Sequence, residues 1–401
     1  MSETMNARES FLATFRFQPC PRTPRCELGY WSGAIKRWHD EGLPGHQQGL
    51  RAGEAWAGWV SGNGQSAIGQ CGMDRDLDVA AYFGLDEPTV GVELNYNVCP
   101  LYEPEVLEET AEYVISRGDD GIVSRKLKPE QGMPEFIDYP VHSRQEWERF
   151  KAERYQPDLA ARIPPNWDAL VQAYRRRTYP LCLGGGLTGF FGTARQILGL
   201  ERTLLTFYDD PAWMHDVFDR LADFYVTLYD AVLDQVDVDW AVFWEDMSYK
   251  GGSLISPRTF AEFMLKPYQK VTSLLRDHGV DIRLVDTDGD CRELIPLFIQ
   301  GGITAMHPFE AAAGMDVAAI RRQYPRLGME GGIDKRALIA GKEAIDRELE
   351  ARVPVVLTGG YIPHVDHGVP ADVSWENFRY YRQKLDAMLD EVDARRSHEG
   401  H

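Results

Sequence analysis

Apolar residues recur at helical spacing in several long stretches of the chain. Segment 211–235 carries them every third or fourth position and opens with Asp209 and Asp210 ahead of Pro211, which predicts a helix with its start signal. Segment 257–278 predicts another, with Ser256 in the capping position, Pro257 at the first helical position and Gly279 as the stop. Shorter helices are predicted over 291–300, 316–323, 342–352 and from 374 to about 392. Between them lie short apolar runs that end in polar or glycine clusters, at 181–184, 240–246, 282–286, 303–307, 327–334, 355–358 and 361–367. Each has the length of a buried strand. Strand, loop and helix alternating from about residue 180 predict an α/β fold with a parallel sheet. Polar clusters at successive strand ends favour a closed (β/α)8 TIM barrel over an open sheet, because barrel chemistry collects at that end.

The first 180 residues are less regular. Segments 26–31 and 90–97 are expected to be the first two barrel strands. Within 103–145, segments 112–117 and 122–125 flank a Gly-Asp-Asp-Gly turn at 118–121 and predict a hairpin inserted on the barrel. The expected layout is an N-terminal extension and one barrel domain over 1–393, followed by a frayed tail over 394–401.

Composition narrows the partners. The 401 residues are 44% hydrophobic and 26% charged, an ordinary globular balance. A formal charge of −19 repels phosphate backbones and anionic lipid, which argues against nucleic acid and membrane surfaces. Residues 1–11 include Glu3, Arg8 and Glu9 and lack the apolar centre of a signal peptide, so the cytoplasm is the expected compartment. The cysteines, Cys20, Cys26, Cys71, Cys99, Cys182 and Cys291, form no C-x-x-C pair, and most of them read as separate buried thiols.

Three clusters carry candidate chemistry. Asp286, Asp288 and Asp290 alternate within five residues at a strand end. Turn and capping chemistry accounts for one, Asp290, and is the plain alternative for all three. Asp286 and Asp288, two apart on an extended segment, point the same way, as two ligands of one ion must. The second cluster sets His364, Asp366 and His367 between Pro363 and Gly368, gathering two of the ten histidines at the last strand end. The third is Glu245 and Asp246, of which one carboxylate can face the axis while the other caps a loop; Tyr249 and Lys250 follow. His307 and Glu310 end a further strand. The glycine-rich run 184–189 lacks the Gly-Lys-Ser/Thr ending of a phosphate loop.

These residues resemble the uroporphyrinogen decarboxylase superfamily, which also holds corrinoid-dependent methyltransferases that load coenzyme M or tetrahydrofolate. The resemblance is carried by segment 9–17, by Arg22-Thr-Pro-Arg25, by 187–191 and 207–211, by Gly331-Gly-Ile-Asp334, and by the run from His367 to Asn377. It implies a single (β/α) barrel. Porphyrinogen decarboxylases in the family hold their substrate with an arginine-bearing segment after the first strand. Here Tyr30 and Trp31 stand in that place, and Asn95 and Asn97 meet the family's catalytic aspartate. The methyltransferase branch binds zinc through His-x-Cys-Gly and Gly-Cys-Gly segments, which fall on Asp286, Asp288 and His367. The resemblance therefore implies a divalent-metal site whose carboxylates keep Zn²⁺ possible and favour Mn²⁺, Fe²⁺ or Mg²⁺ more than thiolates would.

The expected activity is methyl or other group transfer on a polar small molecule, with a corrinoid implied through a partner protein. A decarboxylase or lyase is the alternative, and a non-catalytic binding barrel the third reading. Glu245, His364 and His307 are the expected acid–base groups, and Tyr30, Trp31, Asn95, Asn97, Tyr249 and Glu310 the expected substrate contacts. His367 is expected to hold the metal directly, with Asp366 behind it orienting the ring or capping the loop. A monomer or homodimer follows from the family.

Overall fold

Seven parallel strands lie side by side in chain order in a computed structural model that describes residues 5–45, 60–61, 65–66, 73–74, 76–128, 133–185 and 188–399. They are β1 (Val90–Gly91), β2 (Leu181–Gly185), β3 (Trp240–Trp244), β4 (Ile282–Asp286), β5 (Ala305–His307), β6 (Gly328–Ile333) and β7 (Tyr361–Val365). Helices connect successive strands from β2 onward, the crossover that parallel pairing requires. Segment 26–31 supplies the remaining stave. Its Trp31 N–H donates to Val369 O and the Val369 N–H donates to Gly29 O, beside the continuation of β7. Its start is tied to the entry of β1 by the Asp86 N–H on Arg25 O and by the Arg22–Asp86 ion pair at 2.6 Å. The result is a (β/α)8 barrel.

The strand entries are closed from below. Helix Ala7–Phe15 presents Phe11 and Phe15 to an interior layer made of Cys182, Trp240, Val242, Ile282, Leu284, Ala305 and Ile362. Gly328 is bare because a Cβ there would meet Phe15 at 2.6 Å. Outside the sheet, helix Pro211–Leu233 buries Val217, Phe218, Leu221, Tyr225 and Leu228 at helical spacing, as its apolar pattern predicts. The expected hairpin is present as Tyr113–Arg117 paired with Val123–Leu127, and Glu105–Glu109 and Glu135–Asp138 extend it to four antiparallel strands.

Three expectations are corrected. The pattern predicts one helix over 257–278, but the chain forms Pro257–Phe263 and Leu265–Asp277, broken at Met264. Pro267 causes the break, because its ring is tolerated only in a first turn. Segment 355–358 is not a strand. Helix Lys342–Leu357 continues through it, since Val356 joins Ile345 and Leu349 on one buried face at spacings of four and seven. The end of the chain is not frayed over 394–399. Helix Trp375–Glu399 runs on, with Arg396 buried 3.7 Å from Asp393. Cys20, Cys26, Cys99, Cys182 and Cys291 form no disulfide among the described residues; Cys71, Gly186 and Leu187 lie outside the described residues. No helix among the described residues is long and apolar enough to cross a membrane.

Helix Phe191–Leu198 packs directly against the end of β3, and a Cβ at Gly192 would stand 2.2 Å from Trp244 O. Replacing a helical glycine by alanine normally stabilises by about 1 kcal/mol. Here the backbone contact reverses the sign. Gly192→Ala is expected to lower the thermal midpoint and to shift the urea midpoint downward, whereas an unchanged or raised midpoint would show that the helix can retreat from β3 at no cost.

Candidate active site

Side chains alternate along a strand, so residues two beyond the interior plug face the same lumen nearer its C-terminal mouth. Leu284 gives way to Asp286, Ala305 to His307, and Ile362 to His364; Glu330 follows Gly328 in the same phase. A belt of charge therefore sits above an apolar floor. Its members meet in pairs across stave boundaries. The sheet register sets Asp286 opposite His307, and Asp286 Oδ2 lies 3.4 Å from His307 Nε2. Beyond the strand end, Asp288 Oδ2 lies 3.3 Å from His367 Nε2. Glu330 Oε1 lies 3.4 Å from His364 Nε2. Asp246 pairs with Arg195 at 2.7 Å, and Glu310 with Lys335 at 3.3 Å.

Burial and charge act in opposite directions on these groups. Burial pulls the His307 imidazole down, but Asp286, with Glu330 and Asp288 behind it, outweighs burial and pushes it up to about 8. His367 is likewise raised: burial works against its charge, and Asp288 prevails. Asp288 moves below its usual range, as His367, His307 and Lys335 overcome burial. Asp246 moves upward through burial, with Arg195 opposing and Asp288 and Asp286 reinforcing the rise. Near neutral pH His307 is protonated beside Asp286.

The two adjacent acids after β3 divide their work. Asp246 takes a left-handed backbone (φ 41°) and turns to Arg195 at the mouth. Glu245, expected among the acid–base groups, is fully buried and stands behind the sheet. It accepts the Phe190 N–H at 2.8 Å, the Gly192 N–H at 3.0 Å and the Tyr268 hydroxyl, so it caps helix Phe191–Leu198. Burial pushes its carboxyl up to about 7 against those three donors. A saturated, enclosed carboxyl has no free path to a substrate proton, and the acid near the axis is Asp246.

Other expected residues separate similarly. Tyr30 is buried against Trp38 and Phe378, with ring centroids 5.2 and 5.5 Å away, and belongs to the core rather than to a substrate surface. Trp31 points the other way, its ring 6.5 Å from that of His367. Asn95 and Asn97 are engaged in a turn: Asn95 Oδ1 accepts the Asn97 N–H, and Asn97 Oδ1 accepts the Val98 N–H. Tyr249 is exposed on the hairpin Ser248–Tyr249/Gly252–Ser253, whose backbone lies over Gly289. Glu310 accepts the Gly289 N–H and holds Lys335. Asp366 is wholly buried and accepts the Ala311 and Lys335 backbone N–H groups, so it fastens two loops behind His367.

The resemblance places the implied metal at Asp286, Asp288 and His367. Among the described residues, Asp286, Asp288 and His367 do not converge within 4.8 Å as a three-donor group. Each carboxylate has an imidazole of its own instead. Three contributors escape the sequence reading: Glu330, Arg195 and Lys335. Glu330 alone has a local signal, a charged residue in the middle of an apolar and glycine run.

Residues 123–387 match the family model described as uroporphyrinogen decarboxylase (URO-D). No curated protein matches the chain. Among solved structures, a methyltransferase from Methanosarcina mazei superposes with a TM-score of 0.58 at 14% identity, covering 97% of this chain and 99% of that one.

Glu245→Ala leaves two backbone N–H groups and a buried hydroxyl without an acceptor, at about 1–3 kcal/mol each. The expected loss is roughly 3–5 kcal/mol in urea unfolding. A loss below about 1 kcal/mol would show that Glu245 is not the support described.

Proposed function

Because the chain belongs to the uroporphyrinogen decarboxylase family, we propose that this barrel enzyme transfers a methyl group from a small methoxy or methylamine compound to a corrinoid carried by a partner protein. The observation that carries the reading is His307, buried at the mouth beside Asp286 and raised to about 8. Breaking a methyl–oxygen or methyl–nitrogen bond leaves the electron pair on the heteroatom, which must then take a proton. A protonated imidazole held by a carboxylate is suited to supply it. Asp286 fixes the ring and stabilises its charged form, while the methyl carbon passes to the nucleophile that approaches from the open end. Solvent reprotonates the imidazole after the product leaves.

The charges around the mouth support this choice over porphyrinogen decarboxylation. A substrate bearing many carboxylates needs cations free to receive it. Lys335 and Arg195 are already engaged with Glu310 and Asp246. Trp31, next to His367, offers a flat apolar contact for a compact substrate. The Methanosarcina mazei methyltransferase, which shares the fold along its whole length, adds to the same reading.

Methyl transfer from a panel of methoxy and methylamine donors to cob(I)alamin, followed by its visible spectrum, tests the proposal. Methylcobalamin is expected to form. The rate should fall as pH rises through about 8, because the acid form of His307 is lost there. Asp286→Asn should move that limb to lower pH, and His307→Ala should slow the reaction by about 10²- to 10⁴-fold. Carbon dioxide release from a carboxylic acid, without methyl exchange on any donor, would reassign the protein to the decarboxylases.

A further inference from the structure

His364 is the most enclosed histidine of the lumen, with no exposed surface. Its Nδ1 lies 2.8 Å from Val365 O. A carbonyl only accepts, so Nδ1 carries a hydrogen and donates. A neutral ring protonated at Nδ1 presents a lone pair at Nε2, and this atom has no hydrogen-bond partner. It faces Glu330 Oε1 at 3.4 Å, so two lone-pair-bearing atoms confront one another inside the barrel. Something positive belongs between them. Cys26, from the first stave, brings its sulfur to the same point: the donor atoms of Cys26, Glu330 and His364 all lie within 4.8 Å of one another.

We propose that Cys26, Glu330 and His364 form a divalent-metal site inside the barrel, distinct from the Asp286, Asp288 and His367 positions and independent of the methyl-transfer reading. One thiolate, one carboxylate and one imidazole are the ligand set of a borderline ion such as Zn²⁺. The Nδ1–H bond to Val365 O is the outer contact that orients a metal-bound imidazole and fixes its tautomer. Three protein ligands leave a fourth position for water or a substrate atom. Cys26 and Glu330 are only partly buried, which leaves the site open to the lumen. Binding displaces the thiol proton to solvent, so uptake should release protons.

The test strips the full-length protein with a chelator, reloads it with zinc sulfate and records metal content and zinc X-ray absorption. Stoichiometric zinc with one sulfur neighbour at about 2.3 Å is expected. Cys26→Ser should lose the sulfur shell. Glu330→Gln should keep it while binding zinc more weakly, and Asp288→Asn should leave it intact. Thermal melts of each variant establish that the barrel is folded. Zinc surrounded only by nitrogen and oxygen would overturn the proposal in favour of the carboxylate–histidine positions. Failure of the folded wild type to retain zinc would overturn it too, leaving a proton between Glu330 and His364. So would a sulfur shell that survives in Cys26→Ser.

Discussion

Carboxylates gathered at one end of a barrel repel one another, and the mouth of this protein is organised by the need to pair each of them. At an effective dielectric constant near 20, two like charges about 4 Å apart cost about 4 kcal/mol. That is a sizeable part of the stability of an ordinary domain. The chain meets the cost with Asp286 beside His307, Asp288 beside His367, Asp246 beside Arg195 and Glu310 beside Lys335, and Glu330 is left to the ion proposed between it and His364. Every pair joins two different strand-end segments or helices. The chemistry of the mouth is thus bound to the register of the sheet, and a slip of one residue between β4 and β5 would turn Asp286 or His307 out of the lumen.

The apolar parts of the structure serve that register. Phe11 and Phe15 fill the strand entries and keep water from the floor beneath the charged belt. Glu245 fixes helix Phe191–Leu198 against β3, which brings Arg195 to Asp246. Asp366 fastens the loops after β5 and β6 and so places Glu310 and Lys335. Both acids are buried and silent toward substrate, yet the mouth takes its shape from them.

The barrel was legible because strand-length apolar runs ending in polar clusters are a local pattern, and so were the Asp286–Asp288 and His364–His367 groups. Two things were not legible. Adjacent residues such as Glu245 and Asp246, or Tyr30 and Trp31, face opposite ways, and only the turn that follows the strand decides which one meets the lumen. Partners from distant segments carry no mark in sequence: Cys26 lies more than 300 residues before Glu330, and it meets that residue only because the first stave closes the barrel beside β7. The expected trio of Asp286, Asp288 and His367 rests on the family resemblance, and only Asp286 and Asp288 share a strand end. The fold resolves it into two separate pairs.

Pairwise neutralisation is tested most directly by histidine-selective NMR titration of the full chain, wild type against Asp286→Asn and Asp288→Asn. Separate pairs require that Asp286→Asn lower the His307 titration from about 8 while His367 stays largely in place. Asp288→Asn should chiefly lower His367. Equal movement of both histidines with either substitution, or no movement with either, would contradict the pairing on which this account of the mouth rests.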